Sequence, residues 1–393
     1  MNILFLDQSG KLGGAELSLL DLVEPYRDRC LVGLFADGHF HELLRQHQIP
    51  VQVLMTQPLQ IPKNSSILRI IASVPQLMKL VQQVAQLSRS YDLLYANTQK
   101  AFVIGAIVSA ITRRPLVYHL RDILSPEHFS PINLRAAVGL ANRFASLVIA
   151  NSQATQKAFI EIGGNPELVQ VVYNGFEPER YHCVASTLSK LRQDLDLSDR
   201  FVVGHFSRLS PWKGQHVLIE ALTQCPENVT AVMVGDALFG EQEYIEQLHQ
   251  QVKRLKLGDR VRFLGFRSDV PQLMGVCNLV AHTSTAPEPF GRVIVESMLC
   301  GTPVVAAKAG GVMELIEHNK TGWLIPPKDA TALAAIINQC LEQPQHAQTI
   351  AQQAYQSASQ QFHLNTMHQQ IAQLLEQFTP GNPQRINSHT INS

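Results

Sequence analysis

The hydrophobic residues of the first half of the chain fall into short apolar runs of strand length. These runs are Asn2 to Asp7, Cys30 to Phe35, Val51 to Leu54, Leu93 to Ala96, Leu116 to Leu120, Leu147 to Ala150 and Val169 to Val172. Helical stretches lie between most of them: Glu16 to Val23, Ser66 to Ser90, Ala101 to Ile111, Ile132 to Phe144 and Gln153 to Ile162. Continuous apolar strands separated by helices predict a parallel sheet covered by helices on both faces.

A second series of apolar runs follows a polar stretch. Its members are Phe201 to Phe206, Thr230 to Val234, Val261 to Leu264, Leu279 to His282 and Val304 to Ala307. The predicted fold class is therefore α/β, with two doubly wound, Rossmann-like domains that bind ligands at the carboxyl ends of their strands. A ligand shared by both domains would lie in the cleft between them.

The predicted boundaries follow from changes in composition along the chain. Residues 1–178 form the first domain, the polar stretch 179–200 forms a linker, and 201–360 form the second domain. A Gln- and Ala-rich helical stretch runs from about Gln345 to Phe378. The Pro-, Asn- and Ser-rich residues 379–393 are predicted to be disordered.

Composition limits the classes of partner. Lys plus Arg and Asp plus Glu balance at 32 each, so the net charge gives no indication of a nucleic-acid partner, although it does not exclude a local basic patch. The six cysteines contain no C-x-x-C pair and lie mostly in apolar runs, which favours buried thiols in a reducing compartment.

No signal peptide or membrane span is expected from the sequence. The strand-like N-terminus does not resemble a signal peptide, and the longest apolar run, Ala101 to Ile111, is too short to span a bilayer. We therefore expect a cytoplasmic protein, with any membrane contact peripheral to the inner face.

The stretch from Ala281 to Ala309 holds the strongest candidate chemistry. A Pro-rich loop follows an apolar strand, and a helix is predicted to begin at about Gly291. The backbone N–H groups of Phe290 to Val293 would then form an anion site suited to a phosphate. Glu288 and Glu296 flank this site and are candidates to hold the hydroxyls of a sugar and a ribose. An ordinary strand–loop–helix connection is the alternative.

Two further loops follow the first strand of each predicted domain. Gly13 and Gly14 form a strand-to-helix turn that matches neither G-x-G-x-x-G nor the Walker A order. Two interpretations are left open: the turn lets the backbone approach a phosphate closely, or it is an ordinary tight turn. Arg208 and Lys213 follow the first strand of the second domain. Both are candidate phosphate ligands, and solvated loop cations are the alternative.

His119, near the end of a strand and before Arg121 and Asp122, is a candidate to hydrogen-bond a hydroxyl or to move a proton. A surface or core histidine is the alternative. Asn174-Gly175 is interpreted as a turn. The D-x-D at Asp194 to Asp196 lies in the polar linker, and His39 to Glu42 lacks zinc-site spacing, so no metal site is expected.

Several of these segments together resemble a known family. Glu288-x7-Glu296 resembles the E-x7-E signature of retaining glycosyltransferases of family 4 (glycosyl transferases group 1), which have the GT-B fold. Arg208-x4-Lys213 resembles the Arg/Lys pair of that family. Other matching segments occur in the family's order: Gly13 to Glu16, Val172 to Glu177, Val234 to Asp236, Phe263 to Gly265 and Ala309 to Glu314. Met313 and Glu177 depart from the usual Pro and Asp of the family.

The resemblance implies a retaining, metal-independent hexosyltransferase that needs no cofactor and uses a UDP-sugar or GDP-sugar donor. By this resemblance, Arg208 and Lys213 would bind the donor diphosphate, and the N–H groups of Phe290, Gly291, Arg292 and Val293 would bind its sugar or phosphate. Glu296 would bind the ribose, and Glu288 and His119 would contact the donor sugar. Gly13 and Gly14 would form a loop that closes over the phosphate, and the backbone at Phe266 and Arg267 would bind the base. It also implies that residues 361–378 pack back on the first domain.

The acceptor and two rival functions are left open by the residues. The implied acceptor is a glycan or a lipid-linked molecule, as in cell-surface polysaccharide or glycolipid synthesis. The segment Ser66 to Leu87 could face a membrane or pack over the first sheet, and packing over the sheet is favoured. A sugar-nucleotide epimerase and a non-catalytic nucleotide-sugar-binding protein are the alternative functions.

Overall fold

The computed structural model describes residues 1–55, 67–126, 129–237, 241–379 and 381, with the side chains of 67–74 excepted. The chain forms two compact units. Unit 1 contains Met1–Gly175 together with the residues from Leu364 onward, and unit 2 contains Phe176–His363. Each unit is built around one parallel sheet.

Unit 1 has a seven-stranded sheet, and all its strand pairs are parallel. The strands are β1 (Ile3–Asp7), β2 (Cys30–Leu34), β3 (Val51–Val53), β4 (Leu93–Ala96), β5 (Leu116–Leu120), β6 (Leu147–Ala150) and β7 (Val169–Val171). The spatial order is β3-β2-β1-β4-β5-β6-β7. All seven strands were predicted, because each is an apolar run of strand length.

Helices cover both faces of the sheet in unit 1. They are α1 (Gly14–Val23), α2 (His39–Gln46), α3 (Ile67–Ser88), α4 (Gln99–Thr112), α5 (Pro131–Phe144), α6 (Gln153–Glu161) and α15 (Leu364–Glu376). One core cluster packs α3, α4 and α5 against one face, and a second packs α1, α2 and α15 against the other. Helix α2 was not predicted, because it is only eight residues long and buries only Phe40 and Leu44.

The long helical stretch predicted from Gln345 to Phe378 is interrupted. Helix α14 ends at Gln361 and α15 begins at Leu364, and His363, one of the two residues between them, forms a bridge with Phe176. Helix α15 places Leu364, Met367, Ile371 and Leu375 in the core of unit 1. The boundary between the two units therefore lies at the break between α14 and α15.

Unit 2 has a six-stranded parallel sheet. Its strands are β8 (Phe201–Phe206), β9 (Val229–Val234), β10 (Val261–Gly265), β11 (Leu279–His282), β12 (Val304–Ala307) and β13 (Trp323–Ile325), in the order β10-β9-β8-β11-β12-β13. Strand β13 was not predicted, because it has three residues and directly follows the polar segment 317–322.

The segment predicted to be a linker belongs to unit 2 in the structure. The unit contains α7 (Ala185–Asp194), α8 (Gln215–Ala221), α9 (Gln242–Arg254), α10 (Val270–Val276), α11 (Arg292–Leu299), α12 (Val312–Leu315), α13 (Ala330–Glu342) and α14 (Pro344–Gln361). Helix α7 packs against α10, and Arg192 donates hydrogen bonds to the carbonyls of Val276 and Leu197. No residue of α7 is fully buried, which explains why the sequence suggested a linker.

Part of the segment proposed to cover the sheet or face a membrane can be checked. Ser66 lies outside the described residues, but Leu80, Val81 and Val84 of α3 are buried in the core, so this end of the helix covers the sheet. Within the described part of the chain, no helix is both long and apolar enough to cross a bilayer. All six cysteines are free thiols. Apart from Thr379 and Gly381, the tail lies outside the described residues.

We predict that Ile371→Ala lowers the free energy of unfolding of unit 1 by about 2–5 kcal/mol, because Ile371 is fully buried and its truncation leaves a cavity. Gln370→Ala, one residue earlier on the exposed face of α15, is the control and should change stability by less than about 0.5 kcal/mol. Urea unfolding followed by far-UV circular dichroism measures both. Equal midpoints for the two variants would contradict the placement of α15 in this core.

Candidate active site

In unit 2, the loops that follow β8 and β11 are held in direct contact at the carboxyl ends of the strands. Gly214, which ends the loop after β8, has φ +74°, and a Cβ atom there would lie 2.0 Å from the carbonyl oxygen of Thr283. Only glycine fits this approach. The hydroxyl of Thr283 in turn donates to the carbonyl of Gly214 at 2.7 Å. Lys213 is thereby fixed beside the end of β11.

Lys213 and Glu288 form a buried ion pair. The Nζ of Lys213 donates to both carboxylate oxygens of Glu288, at 3.0 and 2.7 Å, and the two side chains are only 15% and 11% exposed. The Nζ also lies 3.9 Å from the centre of the Trp212 ring, within cation–π range. Two residues that the sequence analysis assigned to one site are therefore in contact across 75 residues of sequence.

Two residues that the sequence analysis did not single out complete the environment of Glu288. His282 Nε2 lies 3.1 Å from Glu288 Oε2, and the Ser284 hydroxyl donates to the same oxygen at 3.0 Å. Burial raises the pKa of Glu288, but Lys213 and His282 lower it by a larger amount. The pKa of Glu288 therefore lies well below its usual value. Glu288 is therefore ionised at neutral pH.

His205, near the end of β8, was also missed. Its Nε2 donates to the carbonyl of Lys213 at 3.2 Å and lies 3.0 Å from the hydroxyl of Thr283. Burial, followed by the nearby His282, lowers the pKa of His205 to about 3, so the ring is neutral. His205 therefore fixes the backbone that carries Lys213 without adding a charge.

Arg208 lies in the same loop and has an acidic neighbour of its own. Its Nε is 4.0 Å from Glu241 Oε2, and its guanidinium lies 5.6 Å from the centre of the Trp212 ring. Ser210 donates to the other oxygen of Glu241. Trp212 therefore lies close to both cations, Arg208 and Lys213.

Helix α11 begins at Arg292, with Gly291 as the N-cap at φ +101°, close to the predicted start. The side chain of Phe290 is buried and stacks on Phe176, so that only its backbone can contribute to an anion site. Val293 is the second residue of the helix and is half-buried. Glu296 is buried and accepts from Arg292 Nε at 3.2 Å.

The loop after β12 touches the backbone of Glu288. Gly310, at φ +68°, forms a bridge with Glu288, and a Cβ atom there would lie 2.3 Å from the Glu288 carbonyl oxygen. The N–H of Gly311 donates to that oxygen at 2.8 Å. The segment Ala309 to Gly311 is therefore needed to hold Glu288 in place.

The proposed base-binding segment follows β10. Phe266 is 62% exposed, and the guanidinium of Arg267 makes two hydrogen bonds to Asp269, at 2.7 and 2.5 Å. The side chain of Arg267 is therefore bound to Asp269. The base-binding role that the resemblance implies concerns the backbone at Phe266 and Arg267, not this side chain.

In unit 1, Gly13 is the N-cap of α1 and Gly14 is its first residue. A Cβ atom at Gly13 would lie 2.8 Å from Glu16 Oε2, so the buried carboxyl group of Glu16 lies directly against this turn. Burial, followed by the nearby charge of Asp7, raises the pKa of Glu16 to about 8. Glu16 is therefore largely protonated at neutral pH.

His119 lies in a buried polar network at the carboxyl edge of the unit 1 sheet. Its Nδ1 is 2.7 Å from the Tyr95 hydroxyl and 3.3 Å from Arg121 Nη2. Arg121 also donates to Asn97 and Asn174. The turn predicted at Asn174-Gly175 is therefore better described as part of this network, because Asn174 is buried and accepts from Arg121.

Asp7 connects to the same network through Asn97, whose amide donates to Asp7 Oδ2 at 2.6 Å. Burial raises the pKa of Asp7 to about 6, against the opposing hydrogen bonds from Asn97 and Ser9. Asp7, Asn97 and Tyr95 were not predicted as site residues. A usable signal was present, since Asp7 ends β1 and Asn97 directly follows β4.

The predicted site residues are divided between the units. Three belong to unit 1: Gly13, Gly14 and His119. The other ten belong to unit 2, where the structure joins Lys213 to Glu288 and Arg292 to Glu296. Among the described residues, no group of three or more His, Cys, Asp or Glu side chains is placed to hold a metal ion.

Two family models match this chain and together cover most of it. The model of Glycosyltransferase Family 4 matches residues 12–180, and that of glycosyl transferases group 1 matches residues 189–357. The first match lies mainly in unit 1 and the second in unit 2.

Solved structures agree over nearly the whole length. HepE of Anabaena, in a crystal structure with UDP-glucose, is 63% identical, with a TM-score of 0.90 over 96% of this chain and 99% of that chain. Sucrose-phosphate synthase of Thermosynechococcus elongatus is 20% identical, with a TM-score of 0.81 over 96% of this chain and 98% of that chain, which indicates a shared fold.

Curated relatives match over shorter stretches. The N-acetyl-alpha-D-glucosaminyl L-malate synthase of Bacillus anthracis is 29% identical over 194 residues, which are 49% of this chain and 50% of the relative. The chain spans between 44% and 65% of the length of the first curated relatives. With family models across both units and a 63% identical structure, this chain belongs to the family 4 (group 1) glycosyl transferases, and it is a glycosyltransferase of the GT-B type.

Proposed function

We propose that the protein transfers glucose from UDP-glucose to a glycan or lipid-linked acceptor, with retention of the anomeric configuration and without a metal ion. The observation that carries the proposal is the buried Lys213–Glu288 pair beside the N-terminus of α11. It places a fixed cation, a fixed carboxylate and a set of helix-terminal amides at the carboxyl edge of one sheet, where this fold class binds ligands.

The choice of donor rests on a relative. HepE, 63–64% identical to this chain, has been crystallised with UDP-glucose and with UDP and glucose. On this proposal Arg208, Lys213 and the amides of α11 bind the diphosphate, Glu296 binds the ribose and Glu288 binds the glucose. His119 contributes from unit 1, and the backbone at Phe266 and Arg267 contacts the base.

The reaction exchanges one bond at the anomeric carbon for another. The bond from C1 to the phosphate oxygen breaks, and its electron pair leaves with UDP. A bond from C1 to the acceptor oxygen forms on the same face, and the acceptor's proton passes to the leaving phosphate oxygen. Negative charge on the leaving group grows during this step, so preorganised donors and cations lower the barrier.

Metal independence is supported by the kind of positive groups near the site. Lysine and arginine side chains together with helix-terminal N–H groups stabilise a diphosphate by the same electrostatic means as a divalent cation. Within the described ranges there is no cluster of acidic, His or Cys side chains suited to a metal ion.

A membrane-linked acceptor is supported by the surface of unit 1. Helices α3, α4 and α5 pack side by side over one face of its sheet. Where their side chains are described, these helices contain no acidic residue and four basic residues, whereas the whole chain is neutral. The four are Lys79, Lys100, Arg135 and Arg143. A basic surface of this kind is attracted to anionic lipid headgroups.

Helix α4 adds an apolar contribution to this surface. Val103, Ile107 and Ile111 recur every four residues on its exposed side and are 36%, 36% and 64% exposed. A surface helix normally presents polar residues there. Apolar side chains flanked by cations are the pattern of interfacial helices, so we propose that α4 contacts the membrane that holds the acceptor.

For Lys213→Ala we predict a fall in kcat/KM with UDP-glucose of roughly 30- to 1,000-fold, corresponding to about 2–4 kcal/mol of lost stabilisation of the leaving group. The affinity for UDP, measured by calorimetry, should fall as well. Lys320→Ala, which removes an exposed lysine paired with Glu317, is the control and should behave like wild type.

The substitution also leaves Glu288 buried without its cation, and the double variant Lys213→Ala/Glu288→Gln separates the two effects. Removing the unpaired charge should restore thermal stability, but it should not restore UDP affinity. Wild-type UDP binding by Lys213→Ala would show that the lysine has no phosphate role.

The mechanism predicts that hydrolysis of UDP-glucose, with water as the acceptor and EDTA present, first releases α-glucose. Retention preserves the configuration of the donor, and the proposed site needs no metal. Proton NMR recorded before mutarotation identifies the first anomer, with Lys213→Ala as the low-activity control. First-formed β-glucose would overturn retention, loss of turnover in EDTA would overturn metal independence, and a new nucleotide sugar would favour an epimerase.

The membrane proposal predicts that Ile111→Ser weakens co-sedimentation with vesicles that contain anionic phospholipid by about five- to tenfold, because about 1 kcal/mol of apolar burial is lost. Val184→Ser in unit 2 is the matched control, since Val184 is 59% exposed and Ile111 is 64% exposed. Wild-type binding should be stronger to anionic than to zwitterionic vesicles. Equal binding by the two variants would exclude α4 from the contact.

A further inference from the structure

His119 has one satisfied and one unsatisfied ring nitrogen. The residue is 2% exposed, and its Nε2 has no hydrogen-bond partner among the described residues. Its Nδ1, by contrast, faces the Tyr95 hydroxyl at 2.7 Å and Arg121 Nη2 at 3.3 Å. A buried polar group without a partner is costly, so an orphan nitrogen in a candidate site indicates a position for a ligand atom.

The contact with Tyr95 alone does not determine where the histidine proton lies. A tyrosine hydroxyl can donate to Nδ1 or accept from it, so either neutral tautomer would satisfy the pair. Arg121 removes this ambiguity, because a guanidinium is always protonated and only donates. Nδ1 must therefore carry the lone pair, and the single proton of the neutral ring must lie on Nε2.

The position of Arg121 is itself fixed from two sides. Its Nε donates to Asn97 Oδ1 at 2.5 Å and its Nη1 donates to Asn174 Oδ1 at 2.9 Å. The Asn97 amide group is oriented in turn, because its nitrogen donates to Asp7 Oδ2 and to the carbonyl of Ala15. A chain of directed hydrogen bonds therefore runs from β1 to His119.

We propose that Arg121 is a positioning residue that locks His119 as the neutral, Nε2-protonated tautomer, so that His119 donates a hydrogen bond to an oxygen of the bound sugar and does not act as a base. The identity of the acceptor oxygen rests on the proposed function. The locked tautomer does not.

The charged surroundings of His119 agree with this assignment. Arg121 is in direct contact with the ring, Tyr95 faces it from β4, and Asp7, Glu16 and Asp122 are the nearby acidic groups that interact with this network. Burial, followed by the positive charge of Arg121, lowers the pKa of His119 well below its usual value. An Nδ1 proton would point at a cation, so the imidazolium form is disfavoured on geometry as well.

The first test is long-range proton–nitrogen NMR on protein labelled with ¹⁵N-histidine, with the His119 signal assigned by its loss in His119→Gln. We expect the signal assigned to His119 to show a proton on Nε2, none on Nδ1 and no change between pH 5 and 8. A proton on Nδ1, or titration near the ordinary histidine pKa, would overturn the proposal. This measurement needs no substrate, so it is independent of the proposed reaction.

Variants then separate positioning from mere structural support. Tyr95→Phe should keep the Nε2 tautomer, because Arg121 remains. Arg121→Gln retains a neutral donor, so it should keep the tautomer but raise the pKa of His119 and give kcat a new acidic limb. Arg121→Met should mix the tautomers and lower kcat by about 10- to 100-fold, by analogy with partners that orient metal-ligating histidines.

UDP affinity is the internal control for these variants, because the proposed UDP contacts of Arg208, Lys213, Glu296 and α11 lie in unit 2. It should stay within about twofold of wild type in Arg121→Met. An unchanged tautomer and kcat in that variant would remove the role of Arg121. If Arg121→Met does not fold, the pH profile of Arg121→Gln decides the same question. Absence of turnover in the wild-type protein would contradict the proposed function instead.

Discussion

The buried contact between Lys213 and Glu288 is the interaction on which the arrangement of unit 2 depends. A buried ion pair is stabilising only if its attraction and added hydrogen bonds offset the desolvation of both charges. Here His282 and Ser284 supply those bonds to the carboxylate. The backbone of Glu288 also pairs with Gly310, so one residue ties the loops after β8, β11 and β12 together.

This dependence explains which parts of the molecule could be predicted. The strands were predicted because buried parallel strands are continuous apolar runs. The start of α11 was predicted because Pro and Gly residues precede it. The polar segment 179–200 misled the analysis, because α7 packs on unit 2 without burying any residue fully. Strand β13 and helix α2 were overlooked because they are short, with three and eight residues.

The site was predictable to a different extent. Lys213 was singled out in the loop after a strand and Glu288 beside a predicted helix N-terminus, but their pairing depends on strand order, which a single sequence does not reveal. His282 in unit 2 and Asn97 in unit 1 were missed, although both end or directly follow an apolar strand. Polar residues at that position are therefore a better guide than recognised motifs alone.

The electrostatics of unit 2 change how the proposed reaction should be understood. Each of its predicted basic residues has a carboxylate within 4.0 Å: Arg208 has Glu241, Lys213 has Glu288, Arg267 has Asp269 and Arg292 has Glu296. Side-chain charges therefore cancel locally, whereas the helix-terminal N–H groups of α11 carry the positive end of the helix dipole. On the proposed function, these amides add to the contacts that Arg208 and Lys213 make with the diphosphate. A nearly neutral site also avoids attracting anions that do not fit it, which favours specificity over general affinity.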